Sequence, residues 1–599
     1  MIIATLVKVV PDLENLTIDP ATNAMRRTGT ELYLNPFDAR AALVAPLMGR
    51  PGDSKVIVCM GPLDARSCVL EAMAMGSDRG LLVSDRALEG SDTLVTAKVL
   101  ARALRPVAPD VVLAGRWSTD SSTGQVPAQL AENLGLSMVN GARSIERKDG
   151  GILEVVGETE EGWDRYELST PCVITVGEKI VKMRHPTPEA LKEAEGKPIE
   201  VRNITDLGLN PGEVGLAGSP TIVRALRNDE PLRTHRVFGA GPASVRVREA
   251  AATIRELLAR PRLRPPAPRA PASNPSDAGE VLVFASGPEG GLDMDSLPLI
   301  SEVLRLPEPF YPSVVGFGPL LEGDRAHLAR AGAVRVFWGS GGIGWRTPEE
   351  LVPLVSGILR KRPTAAGALF LGTTWTRELA GRVSSRMGLG LTGDVVSLSG
   401  DASGGLVLGK PSFGGGFIAE VVSRQRPSLA TIRAGPFVAS ELDRNATQFE
   451  SVPVTLSEVK TRLRRVGSGL EHDPRFGDME SARVVVAIGM GIGGPDRIPE
   501  ILETIRPLGA ALAASRKVVD SGWVPPQLQV GLTGKSLAPD LYIAVGVSGK
   551  ANHWVGVKRA RVTVGINTNA SEPLFSRVDV GIVGEWSEIL GPLVGALSA

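Results

Sequence analysis

Two stretches of this 599-residue chain have counterparts about 255 residues further on. MGSDRGLLVSD (75 to 85) corresponds to AGAVRVFWGS (331 to 340), and AGRWSTDSSTGQVPAQLAENLGL (114 to 136) corresponds to LGTTWTRELAGRVSSRMGLGL (371 to 391). One spacing shared by two separate stretches implies two copies of one domain. In the first copy, apolar runs (MIIATLVKVV, SKVIVCMG, RGLLVSD, PDVVLAG) alternate with helical stretches such as DTLVTAKVLARALR, and the alternation restarts at EVLVFASGPEGG. Strands alternating with helices of this length call for parallel-sheet α/β units. Between the copies, PRLRPPAPRAPASNPSDAG (261 to 279) is rich in proline and has no apolar period, as an extended interdomain spacer would. The expected domains are 1–260 and 280–465, joined by the linker 261–279, and a third unit at 482–599.

That third unit begins at RVVVAI, turns through GMGIGGPDR and continues into IPEILETIRPLG; ALAAS, LYIAVGVS, RVTVGIN and VDVGIVG supply its further strands. Gly489, Gly491 and Gly494 satisfy G-x-G-x-x-G after a strand. An ordinary NAD site would also need an acidic residue at the next strand end, where this chain has Ser515-Arg516. Gly534, Lys535 and Ser536 match the tail of a P-loop, but Gln529 stands where its first glycine belongs. An NTPase loop is therefore disfavoured, which leaves some other anionic ligand for these strand ends.

Composition excludes several classes. Basic and acidic residues balance at 66 each, so no global charge steers the chain to nucleic acid or an acidic membrane, and 4% aromatics are too few for a base-stacking platform. Cys59, Cys68 and Cys172 cannot all pair and fit no zinc or redox spacing, which suits a reducing cytoplasm. The start, MIIATLVKVVPD, reads as a buried strand rather than a signal peptide, and the apolar run VVVAIGMGIGG is too short to span a bilayer. A soluble cytoplasmic protein with no metal site is expected.

In order, the strand-end loops of the third unit are ASR (514 to 516), VPPQLQVGLTGK (524 to 535), VGVSGKANH (545 to 553), GINTN (565 to 569) and VDVGIVG (578 to 584). This series resembles the flavin-binding domain of the electron transfer flavoprotein α subunit. Residues 280 to 450 resemble that subunit's N-terminal domain through LTGDVVSL and KPSFGGGFIAE. Residues 1 to 250 resemble the β subunit through VKVVPD, LNPFDAR, AMGSDRGLLVSD and STDSSTGQVPAQLAENLG. The resemblance implies a β–α fusion: two related Rossmann-like domains of the adenine-nucleotide α hydrolase type, then a flavodoxin- or DHS-like FAD-binding α/β domain. It also implies a site for FAD made by Ser515, Arg516, Val530, Gly531, Leu532, Thr533, Ser548, Gly549, Lys550, Ala551, Asn552, His553, Asn567 and Asp579. Reduced flavin gathers negative charge, so fixed positive charge and donors favour it. Arg516, always charged and planar, would lie against the isoalloxazine. Thr533 would bond N5 and His553 would sit near O2. Asn567 and Asp579 would serve the adenosine end. Two departures stand out: Leu532 replaces the family's Gln and Met490 replaces an Arg.

By the same resemblance, Leu6, Asn35, Pro36, Phe37, Asp38, Met60, Gly115, Asp120, Thr123, Gly124, Gln125 and Val126 would hold AMP, or a second FAD as in bifurcating members that react with NADH. Thr-Gly-Gln-Val follows the bifurcating style and Pro127-Ala128 departs from it, with AMP favoured slightly. The segment 184–200 corresponds to the family's docking loop for dehydrogenases, with Pro188 at the anchoring leucine's position and Leu191 one helical turn on. The implied function is an FAD electron carrier, rather than a stand-alone enzyme, linking a flavin dehydrogenase to a quinone-reducing acceptor. It would be a monomer equivalent to an αβ heterodimer. A bifurcating oxidoreductase and a non-redox adenine-nucleotide-binding protein are the alternatives.

Overall fold

The computed structural model describes residues 1–11, 32–228, 231–261, 266–270, 276–341, 344–412, 417–433, 435, 437–440, 442, 449–471, 474–479, 481–531 and 534–598. It contains two compact units. One comprises Met1–Leu226, Ala267–Lys410 and Ala419–Leu470; the other comprises Arg227–Pro266, Pro411–Ile418 and Glu471–Ala599.

The first unit holds both copies of the repeat. Outward from one edge, the first copy's sheet runs Ile199–Arg202, Arg79–Val83, Ser54–Met60, Ile2–Val7, Val111–Gly115, Cys172–Val176 and Ser137–Arg147. Strand for strand, the second copy's runs Glu450–Val454, Arg335–Gly339, Tyr311–Phe317, Glu280–Phe284, Gly367–Leu371, Ser428–Ile432 and Leu391–Val395. All pairings within these two series are parallel. Sheets covered on both faces need continuous apolar strands, and VVLAG and GALFL are buried at every residue. The first sheet then extends antiparallel through Ile152–Glu158, Gly162–Ser169 and Leu463–Leu470, the last strand arriving from beyond the second copy.

The copies meet through matching helices, Val126–Leu134 and Thr374–Met387, which end alike in left-handed glycines, Gly135 and Gly388. A Cβ on Gly381 would lie 2.9 Å from Ala128 Cβ, so glycine permits this close crossing. Arg382 is buried between them, paired with Glu378 at 2.8 Å and with Glu132 and Glu349 at 3.6 Å each; its Nη1 donates to the Leu136 carbonyl. Gln129 Nε2 donates to Ser384 Oγ at 3.1 Å. A buried cation so surrounded is held by its acceptors, whereas removing one would leave charge uncompensated.

The second unit is built on a six-stranded parallel sheet in the order Ala511–Ala514, Val484–Ile488, Leu541–Val545, Val562–Asn567, Val580–Val583 and Arg236–Phe238. Its first five strands follow the flavodoxin-like order 2-1-3-4-5, whose switch point lies between the first and third strands. The sixth strand and the helix Ala243–Ala259 come from residues read in the sequence as the tail of the first domain. That helix buries Val247, Ala250, Ala251, Ile254 and Leu257 in the core of this unit. The boundary near 260 therefore differs: the chain enters this unit at Arg227. Of the linker, residues 262–265 and 271–275 lie outside the described residues; Arg269 donates from its backbone to the Leu304 carbonyl and from Nε to that of Leu306, so this piece lies along the second copy.

Candidate functional site

Parallel α/β sheets bind ligands at the carboxyl ends of their strands, beside the switch point. In the second unit those ends carry Gly489–Gly494, Ser515–Arg516, Val547–His553, Asn567 and Gly584–Glu585. Glycine lets the two switch-point loops touch: a Cβ on Gly491 would fall 2.8 Å from Gly546 Cα, and Gly491 N donates to the Gly546 carbonyl. The G-x-G-x-x-G spacing thus serves backbone packing between these loops. Gly494 has extended φ and Met490 is exposed.

Ser515 precedes the short helix Arg516–Asp520, and Arg516, with 35% of its side chain exposed, pairs with Asp520 at 3.4 Å. The following loop returns to the sheet: Val530 N donates to the Ala514 carbonyl and Lys535 N to that of Gln529. Gly531, at φ +134, packs on the next loop; a Cβ there would clash with the Asn552 carbonyl and lie 3.1 Å from His553 Cα. Leu532 and Thr533 lie outside the described residues. Gly549, at φ +76, leaves room for Leu574, whose N would be 2.5 Å from an added Cβ. Lys550 starts the turn Ala551–Trp554. Asn567 pins two loops: its Nδ2 donates to the Val547 carbonyl, and its Oδ1 accepts from Asn569 N.

His553 is 8% exposed, and its Nε2 lies 2.6 Å from the Tyr542 hydroxyl. Burial lowers its pKa to about 4 against the nearby Val530 backbone, so the ring is neutral at pH 7. Its Nδ1, with the Val530 backbone beside it, and Trp554 Nε1 are buried and make no well-formed hydrogen bond among the described residues. Unsatisfied buried polar atoms are rare, and two at one strand-end loop fit a ligand that presents acceptors there. The residues present fit a flavin.

Asp579 does not join this group. It precedes the strand Val580–Val583, at the amino edge, where its carboxylate accepts from Arg233 at 2.9 Å and from Thr563 N and Oγ1 at 2.9 Å each. This corrects the sequence expectation: the side chain ties strand starts together. Glu585 is the carboxylate at the carboxyl end of that strand, beside Asn567, whose carbonyl accepts from Gly584 N. The signal for it was its place directly before the helix Trp586–Ser598.

The first copy gathers its predicted residues at one edge too. Leu6, one residue before the end of its strand, and Met60, the last of its own, lie on neighbouring strands, and Asn35 precedes the helix Pro36–Met48, which opens with Pro36 and Phe37. Buried Asp38 accepts from Lys8 N and Gly115 N at 2.9 Å each and from Asn35 Nδ2 at 2.9 Å, and burial raises its pKa to about 6. Asp120 pairs with Lys8 at 2.6 Å. Gln125 is buried against Thr93 and the second copy's Gly393. Asp38, Asp120 and Gln125 thus brace the scaffold. What remains for a ligand is the turn Thr123-Gly124 ahead of Val126, where the helix begins, with Gly124 at φ +60, and Asn35 Oδ1, buried and unpartnered among the described residues. A helix start with an orphaned acceptor suits a phosphate and an amino group of an adenine nucleotide. From the second copy, Lys410 Nζ donates to the Ser121 carbonyl at 2.8 Å.

Pro188 and Leu191 lie on the helix Pro188–Glu195, capped by Thr187, and both are exposed, Leu191 to 36%. Among the described residues no helix is long and apolar enough to cross a membrane, and no cluster could hold a metal ion.

Comparison with known proteins agrees with this geometry. A family model described as the electron transfer flavoprotein domain matches twice, at 24–207 and 281–459, and one described as the electron transfer flavoprotein FAD-binding domain matches 478–558. The electron transfer flavoprotein α subunit of Mycobacterium leprae is 32% identical over 325 residues, covering 53% of this chain and 98% of that protein. The β subunit of Thermoanaerobacterium thermosaccharolyticum is 34% identical over 240 residues, covering 40% of this chain and 92% of that protein. The caffeyl-CoA reductase-Etf complex subunit CarD of Acetobacterium woodii is 36% identical over 226 residues, covering 37% of this chain and 86% of that protein.

Proposed function

From a chain that belongs to the electron transfer flavoprotein family, a flavin electron carrier with both subunits fused in one polypeptide, we propose a specific assignment of sites and partners. FAD binds at the carboxyl edge of the second unit's sheet, held by Ser515, Arg516, Val530–Thr533, Ser548–His553 and Asn567. Bound there, FAD supplies one-electron chemistry that lets a two-electron donor serve a one-electron acceptor. The chain's own work is to hold it: the 547–553 loop offers backbone donors for the pyrophosphate, Arg516 supplies fixed positive charge, and His553 offers a buried neutral donor. The observation that carries this reading is the buried His553 Nδ1, which makes no well-formed hydrogen bond among the described residues, beside the Val530–Gly531 loop.

AMP occupies the first copy's strand ends, at the turn Thr123–Val126, and does no chemistry. The helix Pro188–Glu195 presents Leu191 to flavin dehydrogenases, and the acceptor is a quinone-reducing oxidoreductase. The three cysteines are free and buried, which supports a reducing cytoplasm. One chain acts as a monomer. The Thr-Gly-Gln-Val turn favours a second reading in which FAD replaces AMP and NADH is the donor. Mixing the purified protein with NADH, and separately with a reduced acyl-CoA dehydrogenase, tests the choice. Bleaching of the flavin by the dehydrogenase alone supports the carrier, and bleaching by NADH supports the second reading.

A further inference from the structure

A neutral imidazole carries one proton, and the nitrogen that carries it decides what His553 can offer a ligand. Nε2 faces Tyr542, whose hydroxyl is 2.6 Å away, in a strand where Tyr542 is 0% exposed. Burial raises the phenol's pKa well above its ordinary value, so the hydroxyl keeps its proton. Among the described residues no other acceptor is within reach of that hydroxyl. A proton on Nε2 would therefore strand two groups in the core, the tyrosine hydrogen and the Nδ1 lone pair. A proton on Nδ1 lets the hydroxyl donate to Nε2 and leaves one donor over, Nδ1–H, beside the Val530–Gly531 loop. Buried groups left unpaired are costly, so the second arrangement prevails.

We propose that Tyr542 is a positioning residue of the flavin site: by donating to Nε2 it fixes His553 as the Nδ1–H tautomer and turns a neutral donor toward the bound flavin. This rests on the FAD site proposed above. Tyr542 does not touch the flavin; it acts through the histidine. A fixed donor favours the more negative, reduced flavin, so removing the hydroxyl lets the ring exchange tautomers and lowers the potential.

The test uses full-length protein, as purified with its flavin, carrying nitrogen-15 in its five histidines. Loss of one signal pair in His553→Gln assigns the His553 resonances. The expected spectrum has Nδ1 protonated and Nε2 unprotonated, and Tyr542→Phe moves both toward a tautomer average while lowering the flavin midpoint potential. A wild-type spectrum with Nε2 protonated overturns the proposal, whether or not the phenylalanine variant folds. So does a Tyr542→Phe protein with unchanged tautomer and potential. Flavin-stripped protein should give the same tautomer, so an intact tautomer in a chain that binds no flavin would sink the site assignment and not the dyad.

Discussion

At the residue scale, the burial of His553 has a measurable consequence. Its pKa is about 4 when folded and near 6.5 unfolded, so below pH 6.5 the unfolded chain binds the extra proton and stability falls until about pH 4. Between pH 7 and pH 5 the C-terminal unit should lose roughly 2 kcal/mol more in wild type than in His553→Gln. Urea unfolding of both proteins at the two pH values, followed by tryptophan fluorescence, checks this; equal losses would mean that His553 is solvated. Tyr542→Phe, which leaves Nε2 unpaired in the core, should cost about 1–3 kcal/mol in the same assay. Neither effect was legible in the sequence. LYIAV read as a buried strand, and nothing in the spacing of Tyr542 and His553 says that a strand and a turn eleven positions apart meet at 2.6 Å. Asp579 was misread for a related reason. VDVGIVG names a strand, but not which of its ends a carboxylate occupies, and the two ends of a parallel sheet differ completely in function.

At the scale of elements, glycines decide whether the site loops can form. Gly549 combines a left-handed φ with Leu574 pressed against its α-carbon, whereas Gly493, at φ +99, has nothing within 4 Å. Gly549→Ala should abolish flavin retention, while Gly493→Ala should pay only the backbone strain, about 1 kcal/mol, and keep its flavin. Absorbance at the flavin band after gel filtration reads both; retention in Gly549→Ala would show that the 547–553 loop tolerates rearrangement. Loop order was the most legible feature of the site, because each motif (ASR, VGVSGKANH, GINTN) directly follows an apolar run that can only be a strand. The reverse holds for residues 236–259. RVF is too short to read as a strand, and the amphipathic helix after it shows a buried stripe without saying which sheet it covers.

At the scale of the molecule, the repeat was legible from two short stretches, and the structure extends it to seven strands in one order, with the same family model matching both copies. The STGQV turn occurs only in the first copy, and the nucleotide site proposed there rests on that difference. The strand Arg236–Phe238 completes the C-terminal sheet from before the linker, so cleaving the linker should not separate the halves. Limited proteolysis within 261–279 should give two fragments that elute together from a sizing column; separate elution would mean that this strand pairing is too weak to hold them. The account as a whole is tested most directly by denaturing the purified protein and quantifying the nucleotides released per chain. One FAD and one AMP is the predicted result; a colourless chain that releases no FAD would contradict it.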